Sequence, residues 1–159
     1  MISTGLGYDC HAFVAGRPLV LGGVEVPFER GLSGHSDADV LTHAVIDALL
    51  GATALGDIGQ HFPDTDERYR DADSIELLRA AVKLASERGP LSILHVDATV
   101  VLERPRLASY VGQMRARLAD GLGVSLSQVN VKATRGEGMG FVGRGEGAAA
   151  LAVATVDRG

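Results

Sequence analysis

The chain has 159 residues, of which 46% are hydrophobic and 22% are charged, and its formal net charge is −5. This length predicts a single domain over residues 1–159, and the acidic balance argues against nucleic acid as a partner, since binding it requires a basic surface. No run approaches the ~20 apolar residues of a membrane span, so no membrane partner is expected. Cys10 has no second cysteine to pair with and the chain shows no secretory leader, so we expect a cytoplasmic protein.

The spacing of apolar residues predicts strands and helices along the whole chain. The predicted strands are residues 2–8, 19–28 (with a hairpin turn at Gly22-Gly23), 94–102, 129–133 and 148–156. The predicted helices are residues 39–55, then 74–88 with Ser74 as cap, and 105–122, which starts at Pro105. Residues 56–72 lack periodicity and predict a long loop. This order predicts an α/β fold, an α+β sandwich in which a mixed β-sheet carries helices on one face.

A candidate metal site comes from the first predicted strand and the first helix. Asp9 and His11 lie two positions apart on the strand, so both side chains project to one face. His43 lies one turn into the helix, where Asp39 or Asp47 would orient its ring as a hydrogen-bond acceptor. One carboxylate and two imidazoles form the ligand set of a catalytic zinc site with its fourth position open. The spacing also fits a capped helix beside an ordinary surface His–Asp pair.

Two further segments are candidates for binding an anion. His35 precedes the first helix, next to the potential N-caps Ser36 and Asp37, and its imidazole is placed to meet an anionic ligand. The glycine-rich segment 134–147 contains the motif G-x-G-x-x-G, which ends at Gly143. Only residues 144–159 follow this motif, and they are too few for the helix and strand that a dinucleotide-binding fold requires. The segment is therefore either a phosphate cradle of backbone N–H groups or a glycine-rich hairpin.

Four collinear stretches, residues 5–13, 35–43, 47–66 and 130–147, resemble the 2-C-methyl-D-erythritol 2,4-cyclodiphosphate synthase family. The resemblance implies an enzyme of the non-mevalonate isoprenoid pathway. Such an enzyme converts 4-diphosphocytidyl-2-C-methyl-D-erythritol 2-phosphate to 2-C-methyl-D-erythritol 2,4-cyclodiphosphate plus CMP. It also implies a homotrimer with sites between subunits and a central channel that can hold an isoprenoid diphosphate.

The resemblance also implies roles for individual residues. It places Zn²⁺ on Asp9, His11 and His43, and it gives Glu137 to a Mg²⁺ or Mn²⁺ ion that bridges the substrate diphosphate. The implied catalytic residues are His35, Thr134 and Arg135. The implied substrate-binding residues are Asp9, His11, His35, Ser36, Asp57, Ile58, Gly59, Phe62, Pro63, Asp64, Thr65, Asp66, Leu102, Glu103, Arg104, Pro105, Arg106, Leu107, Ala108, Ala133, Thr134, Arg135, Gly136, Glu137, Phe141 and Arg144.

Two positions depart from the family pattern. Arg135 stands where the family has a second threonine, and Arg106 stands where it has a lysine. We predict that Arg135 contacts the diphosphate through charge-assisted hydrogen bonds, and the alternative is a solvated arginine of which only the backbone is used. The alternative functions are a metal-dependent phosphohydrolase and a catalytically silent binding protein for isoprenoid diphosphates.

Overall fold

A computed structural model describes all 159 residues of the chain. Its strands are β1 (Ile2–Ala15), β2 (Leu19–Leu21), β3 (Val24–Val26), β4 (Arg30–Leu32), β5 (Leu91–Val101), β6 (Val129–Thr134) and β7 (Gly147–Arg158). Its α-helices are α1 (Val40–Ala52), α2 (Ile58–His61), α3 (Ser74–Ser86), α4 (Val111–Leu122) and α5 (Gly140–Gly143), and 3₁₀ turns lie at Glu67–Tyr69 and Leu126–Gln128. None of the helices is both long and apolar enough to cross a bilayer.

The main sheet has the strand order β4-β1-β7-β5-β6 and is mixed, because β5 and β6 are parallel while the other pairs are antiparallel. The predicted mixed α/β fold is therefore confirmed. Strands β2 and β3 form the predicted hairpin around Gly22-Gly23. Along β7 the residues Ala152 and Ala154 are buried while Leu151 and Val153 are exposed, so one face of the sheet is covered and the other is open.

Helix α1 lies directly against β1 because two glycines leave room for it. A Cβ atom at Gly5 would lie 2.1 Å from the carbonyl oxygen of Ala48, and one at Gly7 would lie 1.9 Å from that of Ala44. Any side chain at these two positions would push the helix away from the strand. This contact between backbones therefore fixes the position of the first turn of α1 relative to the end of β1.

Strand β1 is longer than the predicted strand 2–8. It continues because its pairing with β7 runs as far as Ala12 and Gly147, and β4 then pairs with it from Phe13 onward. Strand β4 has only three residues, which is too short to show an alternating pattern in the sequence. The other predicted strands are confirmed to within three residues at each end. Helix α1 ends before the predicted Leu55 because Ala54 has φ of 59°, a left-handed conformation that an α-helix cannot continue.

Three other local predictions are wrong. The helix predicted from Pro105 begins at Val111: Leu102 N–H still continues the pairing of β5 with β6 by donating to the Thr134 carbonyl at 3.1 Å, and the chain then bends at residues 103–105. Asp73, not Ser74, caps α3 by accepting from Ile75 N–H at 2.8 Å. The predicted loop 56–72 contains α2 and a 3₁₀ turn, each started by an aspartate that accepts a backbone N–H of its own first turn.

Candidate functional site

Asp9, His11 and His43 converge where β1 meets the first turn of α1. The Asp9 Oδ2 atom lies 2.9 Å from His11 Nε2 and 3.1 Å from His43 Nδ1, and the two ring nitrogens are 3.3 Å apart. Asp9 and His11 share the face of β1 that also carries Gly7, while Cys10 is exposed on the other face, as the two-residue spacing predicts. All three potential ligand atoms lie within 4.8 Å of one another, so they can hold a metal ion.

The electrostatics of this cluster keep the Asp9 carboxylate ionised. Burial alone would raise the pKa of Asp9, but hydrogen bonds with His11 and His43 outweigh it and lower that pKa to about 2. Burial disfavours the charged form of His43, but its hydrogen bond with Asp9 and the nearby carboxylates raise its pKa overall. An ionised carboxylate oxygen beside two imidazole nitrogens is a donor set that fits zinc.

The predicted partners of the His43 ring are wrong. Both oxygens of Asp39 accept from backbone N–H groups of the hairpin turn or from the first turn of α1, and Asp47 accepts from Ile58 N–H at 2.7 Å. The His43 Nε2 atom instead lies 2.9 Å from Ser74 Oγ and 3.2 Å from Ser36 Oγ. The sequence did not predict the contact of Ser74 with His43, because the two residues are 31 positions apart and the place of Ser74 at a helix start suggested a cap.

The cluster lies in the wall of an open cavity of about 470 Å³. Asp57, Thr65 and Asp66, which were predicted with this group, do not line the cavity, although the Asp66 carbonyl lies 2.8 Å from His35 Nε2. Sequence reasoning missed Gly34, Tyr69 and Leu77, which do line it. The predicted residues that line this cavity are Asp9, His11, His35, Ser36, His43, Ile58, Gly59, Phe62, Pro63 and Asp64.

Arg17 holds the His35 segment at the cavity wall and was not predicted. Its guanidinium donates to the carbonyl oxygens of Gly34 and Ser36, both at 2.6 Å. These two charge-assisted bonds flank His35 on either side and fix the backbone from which its ring projects. No motif or periodicity marks Arg17, so the sequence offered no signal for this role.

A second cavity, of about 420 Å³, lies beside the turn that follows β5. It shares no lining residue with the first cavity, and Glu137 is not part of the Asp–His–His cluster. Arg104, Gly136 and Glu137, which were predicted with this group, do not line it. The predicted residues that do are Leu102, Glu103, Pro105, Arg106, Leu107, Ala108, Ala133, Thr134 and Arg135, joined by Val111.

Glu103 fastens the glycine-rich segment to this cavity. Its carboxylate accepts from Gly136 N–H at 2.9 Å and from Gly138 N–H at 3.3 Å. These groups flank Glu137, whose backbone has φ of 53°, a strained value for a residue with a side chain. Two N–H groups of the predicted cradle are therefore already occupied. The alternative of a hairpin is wrong, because the segment contains α5 and β6 pairs with β5, not with β7.

Phe141 and Arg144 are not brought to either cavity. Arg144 lines a separate pocket of about 160 Å³ with Phe13, Phe28 and Arg30, and its guanidinium is paired with Glu146 at 3.0 Å. Phe141 is part of α5 and is exposed. Within one chain, most predicted site residues therefore line one of the two cavities. Those that line neither are Asp57, Thr65, Asp66, Arg104, Gly136, Glu137, Phe141 and Arg144.

The mixed sheet with its helices and the Asp–His–His cluster define a small α/β protein with three side chains that can hold a metal ion. Comparison with known proteins is consistent with this class. Residues 2–157 match the family model described as the YgbB family. The 2-C-methyl-D-erythritol 2,4-cyclodiphosphate synthase of Geobacter metallireducens is 57% identical over 154 residues, which cover 97% of this chain and 98% of that protein.

Solved structures agree with the sequence comparison. A structure of 2C-methyl-D-erythritol-2,4-cyclodiphosphate synthase in a CDP-bound form superposes with a TM-score of 0.87 at 35% identity, covering 97% of this chain and 99% of that one. The bifunctional IspDF of Campylobacter jejuni matches at a TM-score of 0.95 and 41% identity, and this chain, fully covered, spans only 43% of that protein. The chain belongs to the YgbB family of 2-C-methyl-D-erythritol 2,4-cyclodiphosphate synthases.

Proposed function

We propose that the chain catalyses the cyclisation of 4-diphosphocytidyl-2-C-methyl-D-erythritol 2-phosphate. An oxygen of the 2-phosphate attacks the β-phosphorus, the bond from that phosphorus to the bridging oxygen breaks, and CMP leaves with the bonding electrons. The convergence of Asp9, His11 and His43 in a member of this family carries the proposal. The reaction needs no protein nucleophile, so positioning and charge neutralisation supply the catalysis.

The cavity around the Asp–His–His cluster would receive the 2-phosphate and the methylerythritol. A zinc ion on Asp9, His11 and His43 would neutralise phosphate charge there and leave a fourth position for a phosphate oxygen. His35, fixed by the Arg17 bonds to its flanking carbonyls, would stabilise charge on the attacking phosphate. Residues 62–66 would close over the substrate, with the Asp66 carbonyl already bonded to the His35 ring.

The second cavity would receive the cytidine and its phosphates. Residues 102–108 would frame cytosine through backbone N–H and C=O groups, since a frame of this kind leaves a buried polar group unpaired when the base is wrong. Thr134 and Arg135 line the same cavity and would contact the diphosphate, with Arg106 adding positive charge. Glu137, exposed beside it, would hold Mg²⁺ or Mn²⁺.

A homotrimer would join these two cavities into complete sites. The metal cavity of one subunit would face the nucleotide cavity of the next, across a heterologous interface closed by threefold rotation. The open face of the sheet supports this assembly. It exposes Leu6 beside Val153 and Tyr8 beside Leu151 as cross-strand pairs, an apolar surface for neighbouring subunits and for an isoprenoid diphosphate in the central channel.

A product assay tests the proposed function against phosphohydrolysis. The metal-loaded protein is incubated with the substrate and followed by ³¹P NMR, with the Asp9→Asn variant as the matched control. We expect CMP and the cyclodiphosphate in equal amounts from the wild type and neither from the variant. Release of inorganic phosphate in place of the cyclic product would identify the chain as a hydrolase. No product from the substrate, together with binding of an added isoprenoid diphosphate, would identify the silent binding protein.

A further inference from the structure

The ring of His43 is bonded on both sides. Its Nδ1 atom faces Asp9 Oδ2 at 3.1 Å, and its Nε2 atom faces Ser74 Oγ at 2.9 Å, with Ser36 Oγ farther away at 3.2 Å. Behind Ser74 lies Asp37, which accepts from the Ser74 hydroxyl through Oδ1 and from the Ser74 backbone N–H through Oδ2 at 2.9 Å. A continuous chain of hydrogen bonds therefore links the Asp37 carboxylate to the metal-facing imidazole.

The chemistry of the groups sets the direction of each bond. An ionised carboxylate only accepts, so the Ser74 hydroxyl donates its single hydrogen to Asp37. The Ser74 oxygen then has only lone pairs to offer, so His43 must donate to it from Nε2–H. Because Nε2 keeps its proton for Ser74, Nδ1 is the nitrogen available to a metal ion beside the Asp9 and His11 ligand atoms.

Helix capping does not account for the Ser74 hydroxyl. Asp73 provides the side-chain cap of α3, and Ser74 is completely buried, with its hydroxyl hydrogen directed at Asp37. Asp37 is itself held by Asp39 N–H, which donates to its Oδ1 at 3.1 Å. The carboxylate and hydroxyl are therefore fixed before any metal binds, with the geometry of an outer partner to a ligating histidine.

We propose that Ser74 and Asp37 are positioning residues for the metal site, which orient His43 and hold it as the Nε2–H tautomer. The proposal rests on the proposed metal site. Asp37 strengthens the bond by polarising the Ser74 hydroxyl, which makes the His43 ring a better donor to the ion. Loss of an outer partner of this kind lowers metal affinity by about 10–100-fold.

Co²⁺ binding to the chelator-stripped full chain tests the proposal, with affinity measured from the visible ligand-field bands. We expect Ser74→Ala to weaken Co²⁺ binding by about 10–100-fold and Asp37→Asn to weaken it in the same direction. Ser86→Ala is the matched control, because this exposed serine of the same helix bonds only to the Val82 carbonyl and should bind Co²⁺ like the wild type. Thermal unfolding of the stripped variants reports whether the fold is retained.

A spectroscopic measurement separates positioning from general loosening of the site. In the Zn²⁺-loaded wild type, ¹⁵N NMR should show His43 protonated at Nε2, with a proton that exchanges slowly because it is donated to a buried hydroxyl. Ser74→Ala should speed this exchange, because only the longer contact with Ser36 Oγ at 3.2 Å remains. Wild-type Co²⁺ affinity in Ser74→Ala, or weaker affinity with the slow Nε2–H signal intact, would overturn the proposal. His43→Ala separates failure of this proposal from failure of the proposed metal site. If His43→Ala binds Co²⁺ like the wild type, the metal site itself is wrong.

Discussion

The two cavities differ in the kind of chemical group that each one offers to a ligand. One surrounds Asp9, His11 and His43, and the other lies beside residues 102–108. In the first, side chains from a strand and a helix are bonded to one another and backed by buried partners. In the second, the groups proposed to bind the nucleotide are backbone atoms of residues 102–108 together with arginines that stay exposed, Arg135 among them. Single substitutions in the first cavity should therefore cause large losses of activity, while single substitutions in the second should cause smaller ones.

Removal of a metal ligand should have the largest effect. Asp9→Asn, His11→Ala and His43→Ala each leave two ligands of three, which should strip the metal and lower kcat by about 1,000-fold or more, since a bound metal supplies several kcal/mol. Metal content and kcat are measured on the same samples. Near-wild-type turnover with a full metal complement in any one of them would show that the site is misassigned.

Gly7→Ala tests how far the metal cavity depends on the contact between β1 and α1. The new Cβ would overlap the Ala44 carbonyl, so α1 must shift, and we expect a loss of about 3 kcal/mol in unfolding free energy together with weaker metal binding. Gly112→Ala is the control, since nothing lies within 4 Å of its Cβ and alanine is the better helix former. Equal stability of the two variants would show that the close approach does not matter.

Glu103→Gln should affect the nucleotide cavity without touching the metal. An amide has a single acceptor oxygen, so one of the two bonds to Gly136 and Gly138 is lost. A hydrogen bond to a charged group is worth about 1.5–3 kcal/mol, and we expect kcat/KM to fall about tenfold as Glu137 loses its fixed backbone. Zinc content should stay at the wild-type level. Unchanged kinetics would mean that the segment needs no such anchor.

Arg135→Thr should have the smallest effect of the series. The Arg135 side chain is 56% exposed and lies 4.0 Å from Glu137 Oε1, so its contribution to an anionic ligand is screened by water and salt. We expect KM to rise a few-fold at low ionic strength and less at high ionic strength. Arg88→Thr, in a different cavity, is the control for net charge. If neither KM nor its salt dependence changes, Arg135 makes no direct contact.

The parts of the fold that follow from local patterns were predictable. The spacing of Asp9 and His11 gave their common face, and the apolar positions of residues 40–49 gave α1. The helix start predicted at Pro105 is wrong because proline favours the first turn of a helix, whereas here Leu102 is still bonded to Thr134 of β6 and Pro105 lies in the bend that follows. That bond joins residues 32 positions apart and leaves no local signal.

The same limit applies to the candidate site. The resemblance to the family named its ligands, but the roles of Arg17, Ser74 and Glu103 depend on contacts between distant segments. Each of these residues has an ordinary local explanation: a surface arginine, a helix cap and a turn carboxylate. Their partners become visible only when the sheet brings the segments together.

The division of the site between two cavities leads to the most direct test, a mixing experiment with two inactive variants. Asp9→Ala lacks an intact metal half, and Glu137→Ala lacks an intact nucleotide half. In a mixed trimer built by threefold rotation, one junction in three joins the intact halves, so co-refolding should restore at most about one site in three. Activity recovered in isolated mixed trimers is the predicted result. If verified mixed trimers stay inactive, each site lies within one chain and the shared-site account is contradicted.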